Sequence, residues 1–215
     1  MSYSSDLSDG LPLLFFLVRF QHRIPQQWRP LFIGHFISFP VKLLTIGMSE
    51  YKLNTLPFYH LLAVVEMASL GLLYQRFIEG RLKAVVKAML PAILFFNVVN
   101  SLFIQNIWSF NTYAWTINTM ALIVFGMLYL FSLYEKIEEM EFHRHPGFLF
   151  NAGVLIYAGG SLFTYSLSLE IFSREAVGFF HNGWLIQCVA NIIKNAFLTY
   201  AIWRIPNHLA TRSYS

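Results

Sequence analysis

Charge is scarce in this chain. Only 12% of its 215 residues are Asp, Glu, Lys or Arg, against 56% hydrophobic, a balance that no ordinary soluble domain of this size needs. Cysteine is rarer still. Cys188 stands alone, so an internal disulfide is excluded. No polar stretch of domain length interrupts the chain, which leaves no room for a soluble kinase, nuclease or dinucleotide-binding module. The N-terminal segment is polar and mildly acidic (Asp6, Asp9) rather than basic, so it does not read as a cleavable signal peptide. His-Glu-x-x-His, Gly-x-Ser-x-Gly and phosphate-loop patterns are all missing, and the chain reads as non-catalytic. A metal site is not expected either. His60 and Glu66 fall about 120° apart on a helix, and His143 and His145, near Glu139 and Glu141, sit in a charged connection.

What fills the chain is apolar. Seven hydrophobic runs, at about residues 7–20, 31–48, 58–75, 89–108, 113–134, 148–172 and 183–203, are separated by short connections. Runs of about 20 residues match a membrane-crossing helix. The sequence therefore predicts one all-α domain over residues 1–215, an integral membrane bundle of seven transmembrane helices. The first run is the weakest, because Leu11–Phe20 is too brief to cross a bilayer core about 30 Å thick. It reaches that length only by including Leu7–Gly10 and letting Arg19 snorkel. Pro40 lies inside the second run, and Pro91 is expected in the first turn of the fourth helix, where proline is tolerated. Trp28, Trp108, Tyr113, Tyr134, Trp184 and Trp203 fall near the expected interfaces, as an aromatic belt does.

Lysine and arginine segregate to alternate connections. One side collects Arg19, Arg23 and Arg29, then Arg76, Arg81, Lys83 and Lys87, then Lys136 and Arg144, and finally Arg204 and Arg212. The other side holds only Lys52 and Arg174, while Lys42 and Lys194 lie within runs. Positive charge stays cytoplasmic. This predicts a multi-pass protein of the inner (cytoplasmic) membrane, N-terminus outside and C-terminus cytoplasmic. The net charge of +4 follows from loops facing anionic lipid and does not point to nucleic acid.

Ionisable side chains within a bilayer are costly and face the bundle interior. In the second run His35, Ser38, Lys42 and Thr45 share one helical stripe. The third run offers Tyr59, Glu66 and Ser69, the fourth Asn97, Asn100 and Ser101, and the seventh Gln187, Asn191, Lys194 and Asn195. The short hairpin between the second and third runs puts Lys42 and Glu66 at similar depth. A Lys42–Glu66 ion pair is therefore expected, with Lys194 reaching the same cluster. Two lysines against one glutamate predict an excess positive charge, met by an acidic ligand or by a neutral lysine. The candidate ligand-binding residues are Lys42, Glu66, Lys194, Asn191, His35, Tyr59 and Asn97. For the asparagines, and for Gly153, Gly159 and Gly160, helix packing is the competing explanation. A mid-helix lysine also invites a retinal-type Schiff base on Lys194. Asn191 stands where an acid is then expected, and residues 59–66 lack an Arg-Tyr-x-Asp pattern, so no cofactor is implied.

Three stretches, Asn100–Tyr113, Phe150–Gly160 and Asn191–Trp203, together with Tyr59, His60 and Glu66, carry a resemblance. They resemble an uncharacterised family of small polytopic bacterial membrane proteins. The resemblance covers most of the chain after about residue 30 and implies the same membrane topology. It carries no activity with it. That family's pattern has an acid in the second span, at or beside Lys42, and a histidine near Gln187, so the resemblance implies no shared site.

These observations predict a non-catalytic binding or sensory module with a polar pocket in the outer half of the bundle. A membrane or cytoplasmic protein partner would meet Arg76, Arg81, Lys83, Lys87, Glu139 and Arg144. A structural subunit of a larger membrane complex is the first alternative, and a small transporter the second.

Overall fold

The computed structural model describes residues 2–20, 24–134, 145–166 and 177–206, with the backbone alone at residues 2 and 177–182. Regular structure among the described residues is helical throughout. The helices are α1 (Ser2–Ser8), α2 (Gly10–Arg19), α3 (Arg29–Glu50), α4 (Leu56–Phe77), α5 (Gly80–Val99), α6 (Thr112–Tyr134), α7 (Pro146–Ser166) and α8 (Val177–Arg204). A 3-10 turn, Gln26–Trp28, leads into α3, and a π turn, Asn100–Ile104, extends α5. Six segments are long and apolar enough to cross a bilayer: Gln26–Glu50, Leu56–Phe77, Gly80–Ile104, Thr112–Tyr134, Pro146–Ser166 and Gly183–Arg204. This is the architecture of a multi-pass membrane protein. The first predicted span is divided at Asp9 into α1 and α2, neither long enough to cross by itself.

Helix boundaries differ most from expectation around α5. The connection from α4 is only Ile78–Glu79, closed by Gly80 at φ +64°, a left-handed conformation that favours glycine. Arg81, Lys83 and Lys87 are therefore not loop residues. They form the exposed face of the first turns of α5, because Arg and Lys are good helix formers and keep their charged ends in water. Pro91 accordingly lies inside α5, not in its first turn. At the far end the helix loosens into the π turn and the chain leaves it by Gln105, so residues 105–108 of the predicted fourth span are not helical. Glu139 and Arg144, with the rest of residues 135–144, lie outside the described residues, as do 167–172, Arg174 and Arg212.

The helices form a closed ring. α3 packs on α4, α4 on α6, α6 on α7, α7 on α8, and the α1–α2 pair fills the gap between α8 and α3. α5 stands outside, against α4 and α6. The α7–α8 contact is close because its residues are small. A Cβ at Gly153 would come within 2.6 Å of the Phe197 Cβ and 3.2 Å of the Lys194 carbonyl, and one at Gly160 within 2.8 Å of the Ala190 Cβ. Small residues let membrane helices approach in this way. Gly159 meets nothing within 4 Å and takes no part.

The N-terminal pair is held in a definite register. Asn191 to Ser5, Asn195 to Asp9, and Arg19 to Ile205 all share one sequence separation, 186 residues. α1 and α2 therefore run parallel to α8. They run antiparallel to α3, since Tyr3 meets Glu50 at 3.0 Å, Asp9 meets Lys42, and Phe16 packs on Phe32. Leu7, Leu11, Leu14, Leu17 and Val18 form the exposed stripe of the pair, while Ser5, Ser8, Asp9 and Phe16 are buried. Polar residues inward and leucine outward is the pattern of a helix whose outer face meets lipid.

The interior is divided along its length. Toward the basic end, that of Arg19, Arg29, Arg76 and Arg204, it is filled by apolar side chains including Leu31, Leu70, Leu73, Phe150 and Ile202. Tyr74 joins them, its ring 5.0 Å from Phe150 and its hydroxyl donating to Asn151 at 2.8 Å. Trp28 is only 2% exposed and packs on Phe77 at 5.1 Å, so it is a core residue and not part of an interfacial belt. The other half of the interior is polar and aromatic.

A charged cavity inside the ring

The charged residues of the ring pair differently from expectation. Lys42, on α3, donates to Asp9 and lies 3.8 Å from Asp6. Lys194, on α8, donates to Glu66 Oε1 on α4 at 2.9 Å. The expected Lys42–Glu66 pair is replaced by these two pairs, because the N-terminal helices bring two carboxyl groups to Lys42. The expected charge balance changes with it. Among the described residues three carboxyl groups, Asp6, Asp9 and Glu66, meet two ammonium groups, Lys42 and Lys194. Among these the carboxyl groups are the more numerous, the reverse of the expected ratio.

Each pair is braced by neutral donors. Asn195 donates to Asp9 Oδ1 at 2.5 Å and to the Ser8 hydroxyl at 2.7 Å. Asn191 donates to the Ser5 carbonyl and hydroxyl, both at 3.1 Å. The Tyr157 hydroxyl donates to Glu66 Oε2 at 3.3 Å, and the Lys194 ammonium lies 4.0 Å from the centre of the Tyr157 ring. Gln187 donates to the Tyr165 hydroxyl at 3.1 Å. Five helices, α1, α3, α4, α7 and α8, thus meet through polar side chains near mid-bundle, with Asp9 at the break between α1 and α2. Lys42 lies about 12 Å along α3 from Glu50 at 1.5 Å per residue.

Two cavities flank the ion pairs. The first, about 50 Å³, reaches from Asp6, Lys42 and Glu66 toward the end opposite the basic one. Tyr59, Phe110, Trp115, Tyr157, Tyr165 and Trp184 line it, with Asn191 and Cys188. The second, about 30 Å³, lies on the basic side of the pairs, among Asp9, His35, Ser38, Ser69 and Lys194. His35 bonds the Leu31 carbonyl one turn back at 3.0 Å. Both spaces are small, well short of drug-sized sites of about 300–1,000 Å³.

Of the candidate residues read from sequence, Lys42, Glu66, Tyr59 and Asn191 line the larger cavity, and His35 and Lys194 the smaller. Asn97 does not belong with them. It is fully buried between α5 and α6, donating to Asn118 at 2.8 Å, and Asn118 in turn donates to the Ala63 carbonyl. Packing explains it. His60 similarly ties α4 to the far end of α5 through Ser101 at 2.8 Å and the Ser109 carbonyl at 3.1 Å.

Sequence reasoning missed Asp6 and Asp9, and with them all of the aromatic wall except Tyr59. The signal for the acids was present. Ser5, Ser8 and Asp9 alternate with Leu7, Leu11 and Leu14 at helical spacing, which marks a helix with a polar inner face. The aromatic wall had no such signal, since its rings come from four helices and a loop. Compared with protein-family models, curated proteins and solved structures, the chain matches none.

Proposed function

We propose that the chain is a seven-crossing membrane module, N-terminus outside, that binds a small molecule in the charged cavity and signals that state to a partner. The observation that carries this reading is the pair of buried ion pairs closing onto a cavity. Ionisable groups inside a membrane are expensive and mark functional sites by default, and nothing about packing alone calls for five of them in one place. The seventh crossing is supported by the register of α1 and α2. Tyr3 lies beside Glu50 and Arg19 beside Ile205, so the pair spans the same slab as α3 and α8. Together they measure about 27 Å at 1.5 Å per residue, close to the bilayer core. The basic face of α5, with Arg81, Lys83 and Lys87, is the surface offered to a cytoplasmic partner. A through-path transporter is less favoured, because apolar side chains fill the basic half of the interior.

Two measurements test this. With Cys188 replaced by serine, a cysteine at Ser4 should react with an impermeant maleimide added outside intact cells, and one at Arg81 only after lysis. Labelling of both from one side would remove the seven-crossing topology. For the site, a panel of small cations, anions and neutral solutes should include at least one that raises the melting temperature of the purified protein. Asp6→Asn, which removes a carboxylate but neither close ion pair, should weaken that shift. If nothing in the panel stabilises the wild-type chain, the binding reading is wrong.

A further inference from the structure

The lining of the larger cavity says more about its ligand than its size does. Tyr59, Phe110, Trp115, Tyr157, Tyr165 and Trp184 place six aromatic rings around a space of about 50 Å³. The rings pack on one another, with Trp115 and Tyr165 centres 5.2 Å apart and Phe110 and Trp184 centres 6.0 Å apart. The polar floor is Asp6, Glu66 and Lys42. Lys42 is already held by Asp9, and Lys194 takes Glu66 Oε1. What remains on the floor is acidic: the Asp6 carboxyl, whose ion-pair contact with Lys42 is the long one at 3.8 Å, and Glu66 Oε2, held by the Tyr157 hydroxyl.

Aromatic faces carry negative potential, and rings grouped around a space attract a cation strongly once water is excluded. The chain already uses one of these rings in this way, since the Lys194 ammonium sits over Tyr157. Among the described residues carboxyl groups outnumber ammonium groups three to two, which adds the same preference. A simple metal cation fits poorly, because the wall offers rings where such ions need several oxygen ligands. A bulky anion meets the wrong charge. We propose that the cavity receives an organic ammonium group, an alkylated amine or a quaternary ammonium head, with its charge toward Asp6 and Glu66 and its methyl or methylene groups against the rings. This rests on the binding reading above and names the chemical class of its ligand.

The test uses the full-length protein in detergent or nanodiscs, with choline as probe and 3,3-dimethyl-1-butanol as its neutral isostere. The fluorescence of Trp115 and Trp184 reports binding inside the cavity. Choline should bind and its isostere should bind at least about tenfold more weakly, the scale of a desolvated cation–π contact. Trp184→Leu should weaken choline binding by about tenfold or more while the chain keeps its helical circular dichroism. The comparison of the two probes on the wild-type chain needs no variant and stands even if that variant does not fold. Equal binding of choline and isostere, or unchanged choline binding in a folded Trp184→Leu chain, overturns the proposal. Stabilisation by an anion but not by choline overturns it while leaving the binding reading intact. If no member of the small-solute panel binds, both fall together.

Discussion

Asp9→Ala is expected to be the most damaging single change in the N-terminal segment. Asp9 is 4% exposed and accepts from both Lys42 and Asn195. Its loss leaves the Lys42 ammonium with only the 3.8 Å contact to Asp6, and leaves the buried Asn195 amide short of an acceptor. Removing one partner of a buried ion pair costs about 3–5 kcal/mol. For a chain of this size that corresponds to a fall in melting temperature of roughly 10 °C or more. α1 and α2 should also detach, because that pair of contacts ties them to both α3 and α8. Trypsin would then cut at Arg19 or Arg23 faster than in the wild type. Asp9→Leu combined with Lys42→Met should recover most of the loss, since a buried pair replaced by apolar side chains is often neutral or stabilising. An Asp9→Ala chain as stable and as protease-resistant as the wild type would falsify the N-terminal packing described above.

Lys194→Met should be nearly as costly, and its coupling to Glu66 should be large. Lys194 is 5% exposed, 2.9 Å from Glu66 Oε1 and over the Tyr157 ring, so one side chain links α4, α7 and α8. A double-mutant cycle of Lys194→Met with Glu66→Leu should give an interaction energy of about 2–3 kcal/mol, the upper range for residues in one ion-pair network. The cycle of Lys42→Met with Glu66→Leu is the informative control. Lys42 and Glu66 share a cavity but no direct pair, so their coupling should be distinctly smaller. Chemical unfolding in mixed micelles measures all six chains. The opposite ranking, with Lys42 the stronger partner of Glu66, would restore the pairing expected from sequence and remove the one observed.

The contrast between these two cycles shows where sequence reasoning stopped. Depth along a helix is readable, because every residue adds a fixed rise, and Lys42, Glu66 and Lys194 line one cavity. Which charges touch is a different question. It depends on how each helix is rotated and on which helix fills each gap in the ring. Read as a marginal first span, residues 7–20 gave no reason to bring a carboxylate to Lys42. In the fold, α1 and α2 lie between α3 and α8 and bring two.

The sequence by itself determined that the chain is a helical membrane protein, roughly where most crossings lie, and that polar residues face inward. These follow from composition and from periodicity along a single chain, and both are local properties. Only the tertiary structure decided that Lys42 is held by Asp9 and Lys194 by Glu66, that among the described residues carboxyl groups outnumber ammonium groups in the cluster, and that six rings from α4, α6, α7, α8 and the α5–α6 connection line one cavity. Those are contacts between helices far apart in sequence. Their partners are set by packing in three dimensions, where a rotation of one helix by a single residue's turn exchanges one neighbour for another.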